Sequence, residues 1–129
     1  MIISIPKECI DGETRVAATP ETVKKFVASG MNVRIEHKAG ENAGYTDAEY
    51  KAAGAIISEN PAALYKDADI ILKINAPQEQ ELPLIKKGAI VLANFQALAD
   101  KARLSIYAKA GLTCFALDLM PRISRAQSM

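Results

Sequence analysis

Two cations and a terminal loop are the parts of this chain whose residue types and positions could do chemistry. Arg15 lies in the loop PKECIDGETRVAATP, Pro6 to Pro20, between the apolar run Ile2 to Ile5 and a helix start. Side chains of a loop like this project beyond the strand's carboxyl end, where open α/β sheets bind their ligands. A guanidinium there offers a planar fork to a carboxylate or phosphate; the alternative is a surface pair with Glu8 or Glu13. Lys73 interrupts the run Asp69-Ile-Ile-Leu-Lys-Ile-Asn75. It either snorkels from an edge strand or points into a cleft at the strand's end. In a cleft it would hold an anion or, once desolvated, take part in proton transfer. The tail MPRISRAQSM, Met120 to Met129, directly follows the apolar run Thr113 to Leu119. Arg122, Ser124, Arg125, Gln127 and Ser128 supply donors suited to ribose, pyrophosphate or carboxamide groups. The alternative is a polar loop leading into a further domain. Either way, the chain is expected to belong to a larger enzyme.

Other candidates are weaker. The segment AGENAG, Ala39 to Gly44, has neither GxGxxG spacing nor a P-loop lysine, so its glycines read as a turn. His37 is the sole histidine and has no cysteine or carboxylate pattern around it, so neither a metal site nor a Ser-His-Asp triad is expected. Sixteen basic residues against fifteen acidic ones give a formal charge of +1, without the electrostatic footprint of a nucleic-acid binder. The longest apolar stretches, such as Ala89 to Ala93, fall far short of the roughly 20 residues that span a bilayer. MIISIPKE lacks a basic region ahead of its apolar residues, so no signal peptide is expected. Cys9 and Cys114 read as reduced thiols, and the cytoplasm is the expected compartment.

The elements that must position these residues follow from periodicity and punctuation. Ile2 to Ile5 reads as a strand. Thr19-Pro20-Glu21 starts a helix whose apolar face carries Val23, Phe26 and Val27 and which Gly30 closes. Asn32 to Glu36 alternates as a strand does. Thr46-x-x-Glu49 is a capping box for a short helix ending at Gly54, Ile56-Ile57 a brief strand, and Asn60-Pro61 a further helix start. Ala68 to Ile74 is a continuous apolar strand broken by Lys73. Pro83 to Lys87 gives at most a helical turn before Gly88, Ala89 to Ala93 a strand, Ala97 to Ala110 a helix with Leu98, Ala102 and Ile106 along one stripe, and Thr113 to Leu117 the last strand. Strands alternating with helices predict a three-layer α/β domain: a mostly parallel sheet with helices on both faces, flavodoxin-like and Rossmann-related. A single domain spanning residues 1–129 is expected.

Read together, PKE-x-x-x-GE-x-RVA-x-TPE (Pro6 to Glu21), AGENAGYTDAEYKAAGA (Ala39 to Ala55) and ADIILKINAP (Ala68 to Pro77) resemble one family in order and spacing. It is the N-terminal domain shared by alanine dehydrogenases and the alpha subunit of proton-translocating NAD(P) transhydrogenases. The likeness covers the whole chain. In the alanine dehydrogenase branch it implies that Arg15 and Lys73 hold the pyruvate carboxylate and carbonyl, with a histidine for acid-base catalysis. That histidine is expected just after the strand Ala89 to Ala93, where this chain reads Asn94-Phe-Gln-Ala-Leu98. Neither asparagine nor glutamine replaces its near-neutral titration.

MPRISRAQSM is similar to the transhydrogenase branch. There the resemblance implies an NAD(H)-binding loop of Arg122, Ile123, Ser124 and Gln127 at the nicotinamide, completed by an aspartate that would follow Met129. It further implies direct hydride transfer between NAD(H) and NADP(H), the latter on a partner domain, coupled to proton translocation, with no catalytic acid or base and no metal. The implied partners are the remaining NAD-binding domain of the alpha subunit and membrane-embedded and NADP-binding subunits. The full subunit is expected to be a homodimer, peripheral on the cytoplasmic face of the inner membrane, and the 129 residues alone are expected to be inactive. Arg15 and Lys73 become a shared structural or vestigial anion pocket in this branch. The alternatives are an NAD-dependent alanine dehydrogenase domain and a non-catalytic α/β binding module.

Overall fold

Three helices begin where their capping side chains stand. The computed structural model describes residues 1–8, 12–75, 77, 79–94, 105 and 107–116. Helix α1, Pro20–Ala28, has Thr19 as N-cap accepting from the Thr22 N–H, with Pro20 in the first turn. Gly30 follows at φ +91°, the left-handed conformation that ends such helices without a Cβ clash. Helix α2, Asp47–Ala52, opens on the complete Thr46/Glu49 capping box. Helix α3, Pro61–Tyr65, is capped by Asn60, whose side chain accepts from the Ala63 N–H. Each cap satisfies an amide that has no partner inside its helix.

The strands are β1 (Ile2–Ile5), β2 (Asn32–Glu36), β3 (Ile56–Ser58), β4 (Ile70–Asn75), β5 (Ile90–Asn94) and β6 (Thr113–Ala116). They form one sheet in the order β3-β2-β1-β4-β5-β6, and every pairing is parallel. Within the doubly wound class expected, this is the Rossmann order. The chain winds from β1 toward β3, then crosses back to build β4, β5 and β6 on the other side.

Two apolar clusters cover the sheet. One joins Ile3, Ile5, Val23, Val33, Ile35 and Tyr50, between the strands and helices α1 and α2. The other joins Leu64, Tyr65, Ile71, Leu82, Val91 and Tyr107, on the α3 side. Ile5, Ile35, Leu64 and Ile71 are fully buried, and each contributes about 1.5–3 kcal/mol relative to exposure. The end of the short α3 is held by the sheet itself. Ser4 Oγ donates to the Leu64 carbonyl at 2.5 Å, and the Arg34 guanidinium donates to the carbonyls of Ala63 and Lys66. Ser4 and Arg34 are register partners on β1 and β2, so one row of the sheet caps the helix's free carbonyls.

Some expectations shift. The helical turn expected at Pro83 to Lys87 is a 3-10 helix at Glu79–Leu84, starting earlier because proline is tolerated in a tight turn that makes few ladder bonds. The AGENAG segment is a turn built on a 3-10 helix at Glu41–Ala43, with Gly44 left-handed. Of the expected helix Ala97 to Ala110, residues 105 and 107–109 are described and helical, Ala110 already stands in a turn, and residues 97–104 and 106 lie outside the described residues. Among the described residues, no helix is long and apolar enough to cross a membrane.

Candidate functional site

Strands β1 and β4 pair only over Ile3↔Ile70 and Ser4↔Ile71. Past that row the chain leaves β1 to one side and β4 to the other, which opens a crevice at their carboxyl ends. The loop after β1 and the end of β4 line it. The loop is pinned from several sides. The Glu36 carboxylate accepts the Lys7 N–H at 3.0 Å, and Tyr50 Oη donates to the Ala18 carbonyl at 2.7 Å. Burial pushes the Tyr50 phenol up to about 12, so it stays a donor throughout the working pH range.

Lys73 does not snorkel from an edge. β4 is interior, between β1 and β5, and the Lys73 side chain is 3% exposed. An ammonium so placed requires carboxylates, and two supply them. Glu81 Oε1 accepts from Lys73 Nζ at 3.4 Å, and Glu8 Oε1 lies 3.8 Å away. Glu8 also accepts the N–H groups of Ile74 at 2.9 Å and Asn75 at 3.1 Å. The first carboxylate after β1 thereby serves the amides of β4 that lie past the β1–β4 pairing, beside the register shift that β4 makes against β5 between Leu72 and Asn75.

Asn75 links this buried group to Arg15. Its Nδ2 donates to Glu13 Oε1 at 2.9 Å and reaches Glu8 Oε1 at 3.4 Å. Glu13 holds the Arg15 guanidinium through Nε at 2.9 Å and Nη2 at 2.8 Å, and it accepts the Arg15 N–H at 3.0 Å. The Arg15 side-chain bond, then its backbone N–H and Asn75, keep the Glu13 carboxyl down at about 2. Of the two partners that the sequence offers Arg15, the structure selects Glu13. The hollow between Lys7, Glu8, Glu13, Thr14, Arg15, Ala39 and Asn42 measures about 10 Å³, room for one water molecule.

The structure therefore brings Arg15 and Lys73 to one crevice, joined through Glu13, Asn75 and Glu8. Glu8, Glu81 and Asn75 complete this cluster, and sequence reasoning did not assign them to it. The available signal was Lys73 itself, since a lysine inside a parallel sheet demands an acid from a neighbouring loop. His37 lies apart and half exposed, with Nδ1 2.5 Å from Asp47 Oδ2. Among the described residues no group of His, Cys, Asp or Glu is placed to hold a metal ion. Cys114 is a free thiol pushed up by burial. Cys9 and the tail residues Arg122, Ile123, Ser124 and Gln127 lie outside the described residues.

Comparison with known proteins gives a consistent result. The family model for the alanine dehydrogenase/PNT N-terminal domain matches residues 4–129. An NAD(P) transhydrogenase alpha-subunit polypeptide from Rhodospirillum rubrum is 42% identical over 134 aligned residues, covering 100% of this chain and 35% of that protein. The crystal structure of transhydrogenase from Sinorhizobium meliloti superposes with a TM-score of 0.93 at 43% identity, covering 100% of this chain and 37% of that one. Alanine dehydrogenase from Halomonas elongata is 35% identical over 118 residues, covering 92% of this chain and 32% of that protein. The chain spans about a third of the length of these relatives.

Proposed function

The chain belongs to the alanine dehydrogenase/PNT N-terminal domain family, and from that premise we propose that it is the N-terminal portion of the NAD(H)-binding alpha subunit of a proton-translocating NAD(P) transhydrogenase. The carrying observation is the likeness to a transhydrogenase alpha subunit along the whole chain at 42% identity, whereas two alanine dehydrogenases match 92% of it at 35% and 81% of it at 40%. The sequence after β5 supports the same branch, because Asn94-Phe-Gln-Ala-Leu98 holds no histidine for acid-base work on an amino acid.

NAD(H), when bound, supplies the hydride, and NADP(H) on a partner domain receives or returns it. The share of this chain is orientation and exclusion of water. In this reading Arg122, Ile123, Ser124 and Gln127 hold the nicotinamide end, together with groups from the NAD-binding domain that follows residue 129. The pinned loop after β1 and the end of β4 give the chain a rigid set of groups at the carboxyl ends of its strands. The partners are the membrane-embedded and NADP-binding subunits, the subunit is a homodimer, and it works peripherally on the cytoplasmic face of the inner membrane.

The test is calorimetric titration of the 129-residue chain with NADH, for which no low-micromolar binding is expected; saturation in that range would overturn the view that the chain holds only a portion of the site. In the full-length subunit assembled with its partners, reduction of an NADP analogue by NADH is the expected activity. Pyruvate- and ammonia-dependent NADH oxidation would instead establish the alanine dehydrogenase reading, the branch in which the resemblance gives Arg15 and Lys73 a substrate-binding role.

A further inference from the structure

We infer that Glu8 is a positioning residue for Lys73: it seats the ammonium at the crevice and matches its charge without taking its N–H donors. The need for such a residue arises in β4. Leu72 to Asn75 on this strand lies opposite Leu92 to Asn94 on β5, so β4 carries one residue more than its partner there. An extra residue of this kind is a bulge, which re-aims a side chain near a strand end and leaves ladder amides to find other acceptors. Lys73 stands in that stretch. The amides of Ile74 and Asn75 follow it, and both donate to Glu8 from the loop after β1. One carboxylate thus fixes the backbone that carries Lys73 and supplies the charge beside it.

The use of the two Glu8 oxygens sets what is left for the lysine. Oε2 accepts the Ile74 N–H at 2.9 Å, and Oε1 accepts the Asn75 N–H at 3.1 Å and Asn75 Nδ2 at 3.4 Å. A carboxylate oxygen has roughly two acceptor sites, so Oε1 is filled, and Lys73 Nζ stands off at 3.8 Å. At that range the pair interacts through charge and not through a hydrogen bond. Of the donors that an ammonium carries, the one engaged among the described residues goes to Glu81 Oε1 at 3.4 Å. Glu8 and Glu81 are the charged groups that face Nζ, one from the loop after β1 and one from the 3-10 helix after β4. Held in this way, Lys73 is an enclosed cation with donors to spare for a carbonyl or carboxylate oxygen at the crevice. A Glu8 bonded directly to Nζ would instead make it a structural tie.

Competitive labelling with trace acetic anhydride, mapped by mass spectrometry of peptides, is the test, applied to the full-length protein that carries residues 1–129. The reagent takes only the neutral amine, so the midpoint of the pH profile at Lys73 reports charge and the plateau reports access. Glu8→Gln keeps an acceptor for the amides and removes the charge. Its Lys73 midpoint is expected about one pH unit below the parent's, with labelling roughly tenfold faster at a fixed lower pH. Glu8→Asp, which keeps the charge, is expected to return the midpoint toward the parent's. A folded Glu8→Gln with an unmoved midpoint overturns the inference, whether or not its plateau rises, because a raised plateau alone reports an opened site. A Glu8→Asp midpoint as low as that of Glu8→Gln overturns it too. Should Glu8→Gln fail to fold, the parent decides: a Lys73 profile running at lower pH than those of the exposed Lys24 and Lys25 shows a buried amine without a countercharge and overturns the inference by itself. The inference goes beyond the transhydrogenase reading and stands on strand and loop geometry. Its failure would leave that reading untouched, and the NADH titration would not decide it.

Discussion

At the amino end of the β1–β4 pair, the Asp69 carboxylate accepts the Ile2 N–H at 2.8 Å and Lys86 Nζ at 2.6 Å. At the carboxyl end, Glu8 accepts the N–H groups of Ile74 and Asn75 and faces Lys73. The chemistry is the same: an acid, strand amides and a lysine. The surroundings are opposite. Asp69 and Lys86 are 36% and 42% exposed, whereas Glu8 and Lys73 are 2% and 3% exposed. Water can replace every partner at the first end and none at the second. Similar contacts therefore serve as a surface tether at one end and as the condition for closing the sheet at the other. The Arg15–Glu13 pair is intermediate in exposure, with a half-buried acid and an exposed base.

Three measurements would break or sharpen this ordering. The largest effect is expected from Lys73→Ala, which removes the buried ammonium held by Glu8 and Glu81. Urea unfolding should show a loss of about 3–5 kcal/mol, and a loss below about 1 kcal/mol would erase the distinction between the two ends. The intermediate case is read from pH. The Glu13 carboxyl is depressed from 4.5 to about 2, first by the Arg15 side-chain bond. Its stabilisation is fully present above pH 4.5 and disappears as pH falls toward 2. Melting temperatures between those values should fall less steeply for Glu13→Gln than for the parent; parallel curves would show that the pair is not coupled to folding. The smallest effect is expected for Asp69→Asn. The Lys86 bond, followed by the Ile2 N–H, holds the Asp69 carboxyl below its usual range, but the pair is open to solvent. The shift in its unfolding midpoint should shrink further in about 1 M salt, where the screening length is near 3 Å. A salt-independent shift would mean that this end too is closed to water.

Local signals are legible wherever cause and effect lie within one turn of chain. Thr19-Pro20, Thr46-x-x-Glu49 and Asn60-Pro61 each start the helix that their side chains predict. Most strands lie within a residue or two of their apolar runs, because a parallel strand covered on both faces must be apolar throughout. The partner set of Glu8 is not legible. Its position near Arg15 suggests a surface pair, whereas its partners Ile74 and Asn75 lie 66 and 67 residues away, a separation that no spacing rule encodes. Lys73 is legible as an anomaly but not as a solved one, since edge and interior strands read alike until the strand order is known. The 3-10 helix at Glu79–Leu84 escapes for a local reason, as its sequence carries neither a cap nor a full apolar period.

The long reach of Glu8 also bears on how the chain is made. β1 leaves the ribosome before the other five described strands and ends up in the middle of the sheet, with β2 and β4 as its neighbours. At 5–20 residues per second, the partners of Glu8, 66 residues behind it, emerge roughly 3–13 s later. During that interval the growing chain carries a bare strand edge and an acid awaiting its amides. The nascent first half is therefore the stage at which a binding chaperone, or a pause in translation, would bear most on whether the protein folds.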